Sequence, residues 1–271
     1  MFKINNLTYQ YDKTRKALDN VSMDFNKGNI IGIIGSNGSG KSTLFNNLMG
    51  ILKSIEGEIL YNGEQIKYDK KSLYNLRKEV GIVFQDPEKQ IFYSMVYDDI
   101  AFALRNIGID EKTIKERIHT ALEAVNGLQF IDRPVHNLSF GQKKRVAIAS
   151  VVAMENKLVL LDEPTAGLDP ISTRAIVDII KGLNKRGVKI VISSHDMNLI
   201  YEICDYVYVL NQGVLINEGT REEVFINEEK IDEAGLELPW LVKLHKNMGL
   251  PLFTKEQDLY SYWNHREQKT V

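Results

Sequence analysis

The chain has 271 residues, and 34 basic against 36 acidic side chains leave a formal net charge of −2, which offers no electrostatic footprint for nucleic acid. With 44% hydrophobic and 26% charged residues it is sized and composed for one large globular α/β domain, or one domain with a small appendage. A single cysteine, Cys204, excludes an internal disulfide, no apolar run approaches the ~18–20 residues of a membrane-crossing helix, and the opening MFKIN lacks a secretion signal's apolar core, so a cytoplasmic chain that can dock on a membrane protein is expected.

Residues 2–25 alternate apolar and polar positions, clearest at Val21, Met23 and Phe25, which predicts antiparallel strands with one wet face. Tyr9 and Tyr11 stand out there. A tyrosine on an edge strand ordinarily packs, but a flat ring also suits stacking on a purine base, and Tyr11, just before a polar turn, is the better placed of the two. Lys27-Gly28 turns the chain into residues 29–34 (NIIGII), a short β-branched run typical of a buried parallel strand.

Residues 35–43 (GSNGSGKST) follow, with Gly35, Gly40, Lys41 and Ser42 at the defining places of G-x-x-x-x-G-K-[ST]. Leu44, Leu48 and Met49 then mark one face of a helix. Strand, glycine loop and helix together favour a phosphate cradle over a tight turn with a solvated lysine. From Gly35 through Ser36, Asn37, Gly38, Ser39 and Gly40 to Thr43, successive N–H groups turn inward, and the helix dipole adds to them. Lys41 is expected to reach the β- and γ-phosphates, and the Ser42 hydroxyl to ligate Mg²⁺. The chain is therefore expected to bind a nucleoside triphosphate.

Residues 57–63 read as a strand closed by an Asn-Gly turn, and residues 80–84 as a second apolar strand that delivers Gln85 to a strand-to-loop junction before Asp86-Pro87. Residues 90–104 hold Ile91, Phe92, Tyr93, Met95, Val96 and Tyr97, which fit a small local core or an exposed partner patch equally well. An amphipathic helix over 111–126 buries Ile114, Ile118, Ala121, Leu122 and Val125. Residues 138–142 (LSFGQ) precede a helix predicted over 143–154. Ser139 stands where an N-cap would, and Gly141 permits close approach of a ligand.

Residues 157–163 (KLVLLDE) form a buried strand with two carboxylates at its C-terminal end, the edge where α/β sheets bind ligands. Downstream of a Lys-Ser phosphate loop, Asp162 is placed to hold Mg²⁺ through its water shell, and Glu163 to polarise an attacking water. Asp169 and Pro170 fit an N-cap and first helical position. Another buried strand, 188–193, ends before His195, which fits either a satisfied helix-start histidine or a γ-phosphate contact; sharing an edge with Gln85 and Glu163 favours the contact. No Cys/His cluster has metal-ligand spacing. Residues 206–219 read as a hairpin, and Thr220 with Glu223 as a capping box.

Taken together, the phosphate loop, Gln85, residues 138–142, the strand ending at Glu163, residues 167–169 and His195, in that order, resemble the ATP-binding cassette (ABC) family over about residues 1–225. The resemblance implies an α/β P-loop NTPase fold: a mostly parallel ABC-type core, an N-terminal antiparallel β subdomain and a helical signature subdomain over roughly 86–156. It also implies ATP and Mg²⁺ sandwiched between two cassettes. One would supply Lys41, Ser42, Gln85, Asp162, Glu163 and His195, with Ser42, Gln85 and Asp162 around the Mg²⁺, and the other Ser139, Gly141 and Gln142. Asp169 would communicate between the sites. Phe140 departs from the family pattern, which has glycine there, while Ser139 and Gly141 keep their places. Residues 68–73, 83–87, 90–92, 98–102 and 141–148 further resemble the energy-coupling-factor ATPases, above all those of cobalt (or nickel) importers. That likeness implies a second ATPase, the same or a paralogue, and a transmembrane coupling subunit received in a groove along 90–104. It also implies a separate substrate-binding membrane subunit and a peripheral place on the cytoplasmic side of the cell membrane.

Residues 226–271 read as a small helical appendage through Ile231, Leu236, Leu238, Trp240, Leu241 and Leu244, either packed on its own domain or, as the family implies, forming a dimer contact. Three other functions compete with cobalt import. A vitamin importer would use the same ATPase. A cassette acting on nucleic acid or ribosomes would need a basic face, tandem cassettes or a long insertion, none of which the sequence has. A binding module without turnover conflicts with Glu163.

Overall fold

The computed structural model describes residues 1–12 and 15–267. Its elements run β1 (Phe2–Gln10), β2 (Lys16–Asp24), β3 (Ile30–Ile34), α1 (Lys41–Leu48), β4 (Glu56–Tyr61), β5 (Glu64–Gln65), α2 (Lys70–Glu79) and β6 (Val80–Val83). The helical middle follows with α3 (Val96–Asn106), α4 (Glu111–Ala124) and α5 (Phe140–Ala153). Then come β7 (Leu158–Asp162), α6 (Pro170–Lys185), β8 (Lys189–Ser194), α7 (Met197–Ile203), β9 (Tyr206–Asn211), β10 (Val214–Thr220), α8 (Arg221–Ile226), α9 (Glu228–Glu233), α10 (Trp240–Met248) and α11 (Glu256–Glu267).

The strands form two sheets. One is antiparallel, in the order β2-β1-β4-β5; the other runs β10-β9-β3-β8-β7-β6 and is parallel except where β10 folds back on β9. The period-2 geometry of a strand explains how β3, β7, β8 and β9 are covered on both faces. Ile31, Ile33, Leu158, Leu160, Val191, Tyr208 and Leu210 point into one core, shared with the antiparallel sheet and α1. Ile30, Ile34, Val159, Leu161, Ile190, Ile192, Val207 and Val209 point into the other, shared with the helices. The continuous apolar runs in the sequence are thus two alternating faces, both buried. Because β3, β7 and β8 are adjacent and parallel, the residues after their C-terminal ends meet at one edge: the glycine loop, Glu163 and His195.

Helix α5 starts earlier than the sequence predicted, at Phe140 rather than Lys143. Ser139 and Gln142 form a reciprocal capping box, which draws residues 140–142 into the first helical turn. In segment 90–104 both sequence alternatives occur side by side. Val96, Ile100, Ala101 and Leu104 join the core, whereas Phe92 is 78% exposed and Tyr93 and Phe102 pack ring to ring on the surface. Asp99, itself buried, holds this exposed turn by accepting from the Phe92 and Tyr93 amides.

The tail packs on its own domain. Ile231, Leu238 and Leu241 are buried in the larger core, together with Val242, Leu250 and Leu259, and Leu236, Trp240 and Leu244 pack against it. The Trp240 amide also donates to Asn198 Oδ1 at 2.9 Å. These apolar side chains therefore pack within this chain, as the first of the two sequence alternatives has it. Ile226, Met248, Tyr260 and Trp263 stay on the surface. Residues 268–271 of the predicted appendage lie outside the described residues.

Candidate nucleotide site

The loop between β3 and α1 turns through positive φ at Gly35, Gly38 and Gly40. At Gly35 a side chain would collide with the Leu210 carbonyl oxygen, and at Gly40 it would lie 2.6 Å from that of Ala17, so both glycines are required by neighbouring backbone as well as by φ. Lys41 opens α1 and folds back over the loop, its Nζ donating to the carbonyls of Gly35 (2.7 Å) and Ser36 (3.2 Å). Burial pulls the Lys41 ammonium below its ordinary range, opposed by the carboxylates of Glu163 and Asp162. The Lys41 charge is satisfied by the loop carbonyls and by Glu163 Oε1, 3.8 Å away.

Residues 37–43, Tyr11, Asp12, Arg15, Ala17, Gln85 and Glu163 line a cleft of about 470 Å³. Tyr11 stands at its mouth, 64% exposed, edge-on to Tyr9, with its hydroxyl 3.1 Å from Thr43 Oγ1. The ring thus keeps an open face beside the loop. An adjoining cleft of about 400 Å³ brings together Ser42, Gln85 and Asp162, a hydroxyl, a carboxamide and a carboxylate. These hard oxygen donors suit Mg²⁺. Among the described residues no group of three or more His, Cys, Asp or Glu could hold a metal alone. A larger open cleft of about 880 Å³ lies at the far end of the sheet, among Arg117, Glu155, Lys157 and Arg186, and shares no residue with the loop.

Asp162 and Glu163 are both 5% exposed. Ser193, fully buried on β8, donates its hydroxyl to Asp162 Oδ1 (2.5 Å) and accepts from the Glu163 amide (3.0 Å), holding the Asp162 carboxylate and the Glu163 backbone from one neighbouring strand. Glu163 itself adopts φ +47, uncommon for a residue with a side chain. Its Oε2 lies 2.8 Å from Nδ1 of His195. Since a carboxylate only accepts, this pairing puts a proton on Nδ1. The Glu163 carbonyl in turn accepts from Lys144 Nζ at 2.9 Å.

Ser139, Gly141, Gln142 and Asp169 do not line either cleft. They stand close to one another. A Cβ on Gly141 would come 3.1 Å from Ser172 Oγ, and the Ser172 hydroxyl donates to Asp169 (2.6 Å). Here Ser139 and Asp169 cap α5 and α6, both exposed. The aromatic at Phe140 is accommodated without disturbing this cap: its ring faces Gly167, with 3.6 Å to the position a Cβ would take there.

Two residues of the site escaped the sequence reading. The serine pair 193–194, ending an apolar strand, requires a buried hydroxyl to find a partner, and Asp162 on the next strand is that partner. Lys144 precedes Ala147, Ile148 and Val151 by three, four and seven positions, which places it on the buried face of α5 by helical period alone.

Comparison with known proteins yields one consistent group. The ABC transporter family pattern matches residues 18–166. The chain is 45% identical to the cobalt import ATP-binding protein CbiO of Salmonella typhimurium, over 99% of this chain and 97% of that protein. It is 42% identical to the energy-coupling factor transporter ATP-binding protein EcfA of Methanosphaera stadtmanae, covering 92% and 89%. Among solved structures, CbiO1 of Clostridium perfringens, described as part of the ABC transporter complex CbiONQ, superposes with a TM-score of 0.78 at 41% identity, covering 90% and 98%.

Proposed function

Because the chain belongs to the ABC transporter family and is by that membership an ATP hydrolase, we propose that it is the ATPase subunit of an energy-coupling-factor importer carrying cobalt or nickel ions. The observation that carries the proposal is the Glu163 carboxylate, bonded to His195 and facing the cleft beneath Lys41.

The triphosphate lies along residues 36–43 with its base against Tyr11. Lys41 reaches the β- and γ-phosphate oxygens. Ser42, Gln85 and Asp162 would hold Mg²⁺, which when bound draws off negative charge from the phosphates. Glu163 accepts the proton of a water that attacks the γ-phosphorus in line as the β–γ bridging bond breaks and ADP departs. His195 orients that carboxylate and contacts the γ-phosphate.

Ser139, Gly141 and Gln142 contact the γ-phosphate of a second cassette, and Asp169 lies between the two sites. Their displacement from their own cleft supports this reading, as does their grouping on one surface. The partner cassette is a second copy or a paralogue. The exposed aromatics Phe92, Tyr93 and Phe102 receive the coupling helix of a membrane subunit, which places the chain peripherally at the cytoplasmic face. Residues 1–225 act as the cassette and 226–271 as a small C-terminal appendage that packs on it and offers the exposed Met248, Tyr260 and Trp263 to a dimer contact. The names of CbiO and EcfA and the CbiONQ complex support this assembly.

The test is uptake of radioactive cobalt by cells carrying this chain with its membrane subunits. Wild-type chain should drive accumulation, and Glu163→Gln should abolish it while ATP remains bound. Vitamin uptake without cobalt or nickel uptake would overturn the cargo; unchanged ATP hydrolysis in Glu163→Gln would overturn the assignment of the base.

A further inference from the structure

Lys144 is fully buried on the first turns of α5, five residues after the Ser139 cap. An enclosed ammonium is costly, and a methionine would fill the same space without that cost. Packing therefore does not account for the charge. What the ammonium does is donate to the carbonyl oxygen of Glu163 at 2.9 Å, with the Phe140 ring 5.9 Å from Nζ. The carboxylates of Asp162, Glu163 and Asp86 surround it electrostatically.

Glu163 is also the residue whose backbone stands at φ +47. Its N–H is held from β8 by the Ser193 carbonyl (3.2 Å) and hydroxyl (3.0 Å), and its C=O is held from α5 by Lys144. The flanking backbone groups of a strained residue are thus each tied to a different element. Rotation back to an ordinary conformation would break these bonds and swing the carboxylate off His195.

We propose that Lys144 is a positioning residue, whose bond to the Glu163 carbonyl fixes the left-handed backbone that aims the Glu163 carboxylate and ties that aim to the helix beginning at Ser139. The inference rests on Glu163 being the proton acceptor. Ser139 and Lys144 are separated by roughly 7.5 Å of continuous helix, at 1.5 Å per residue. A pull on the Ser139 cap by nucleotide bound to a partner cassette therefore reaches Glu163 through a short rigid lever.

The experiment measures steady-state ATP hydrolysis and ATP binding by the full-length chain with its membrane subunits, for Lys144→Met, Lys144→Gln and Lys144→Arg. Lys144→Met should lower kcat at least about tenfold, with KM for ATP and ATP affinity within about twofold of wild type and no fall in Tm. Lys144→Gln, which restores a donor, should recover part of the loss. In a Glu163→Gln background Lys144→Met should change the residual rate less than about twofold, because both act through one group. A wild-type kcat in Lys144→Met, with Glu163→Gln inactive, would overturn the role of Lys144 and leave that of Glu163 standing. Equal losses of rate and Tm in Met, Gln and Arg variants would also overturn it, assigning the lysine to packing. Wild-type hydrolysis in Glu163→Gln would instead remove the underlying reading.

Discussion

The imidazole Nδ1 of His195 lies 2.8 Å from the carboxylate of Glu163, although the two residues belong to different strand ends 32 positions apart. The contact follows from topology. Parallel pairing of β7 with β8 aligns Asp162 with Ser193, so the residues that follow each strand emerge side by side. A carboxylate buried to 5% exposure is thereby paired with an exposed imidazole.

Ser193→Ala should loosen that arrangement without touching nucleotide. It removes the donor to Asp162, leaving that buried carboxylate short of a partner, and leaves the Glu163 amide only the Ser193 carbonyl. A stability loss of about 1–3 kcal/mol is expected, together with a higher Mg²⁺ concentration for half-maximal hydrolysis. Thermal unfolding and a Mg²⁺ titration of the ATPase rate measure the two effects.

Tyr11 predicts a split between two variants. Tyr11→Phe keeps the ring and loses only the hydroxyl contact to Thr43, so ATP affinity should stay within about twofold. Tyr11→Ala removes the stacking face and should weaken ATP about tenfold, equivalent to ~1.4 kcal/mol. Equilibrium binding of a fluorescent ATP analogue distinguishes them, and equal affinity in both would remove Tyr11 from the base site.

Gly35→Ala should damage the loop from within. Its methyl would meet the Leu210 carbonyl on β9 at a positive φ, so β9 must move or the loop must open. A destabilisation of about 1–3 kcal/mol is expected, with weakened ATP binding, read by urea unfolding and by the same nucleotide titration.

The buried lysine gives a pH signature. Burial pushes the Lys144 ammonium down to about 8, against which Asp162, Glu163 and Asp86 pull only partly. A lysine whose folded pKa is depressed binds fewer protons folded than unfolded between that value and its ordinary one, so wild-type stability should rise with pH from about 8 upward. Lys144→Met lacks this contribution. Its stability advantage should be largest below pH 8 and shrink toward pH 10, as measured by urea unfolding of both proteins across that range.

The fold and much of the site were legible because their signals are local. Residues 29–43 contain a strand, a glycine loop and a helix start in uninterrupted order, and residues 157–163 contain a buried strand ending in acids. What stayed hidden depends on neighbours. Ser193 and Lys144 read as a strand end and one more basic residue, and only register and helix packing show what they touch. The exposed and buried sides of segment 90–104 were inseparable because its apolar residues serve a core and a surface at once. The tail's apolar residues left two neighbours open, since sequence does not say whether a stripe meets its own chain or another; Ile231, Leu238 and Leu241 meet their own.

The tail also sets an order of events in synthesis. Ile231, Leu238, Leu241, Val242 and Leu259 complete the same core as Ile34, Val83 and Leu161. That core spans most of the chain, and contacts so distant in sequence are slow to form. A nascent chain that has already exposed its phosphate loop outside the ribosome still lacks the residues that close the layer beneath it. The loop is thus made early, while the core that begins beside it at Ile34 is completed only when the last-made helices dock.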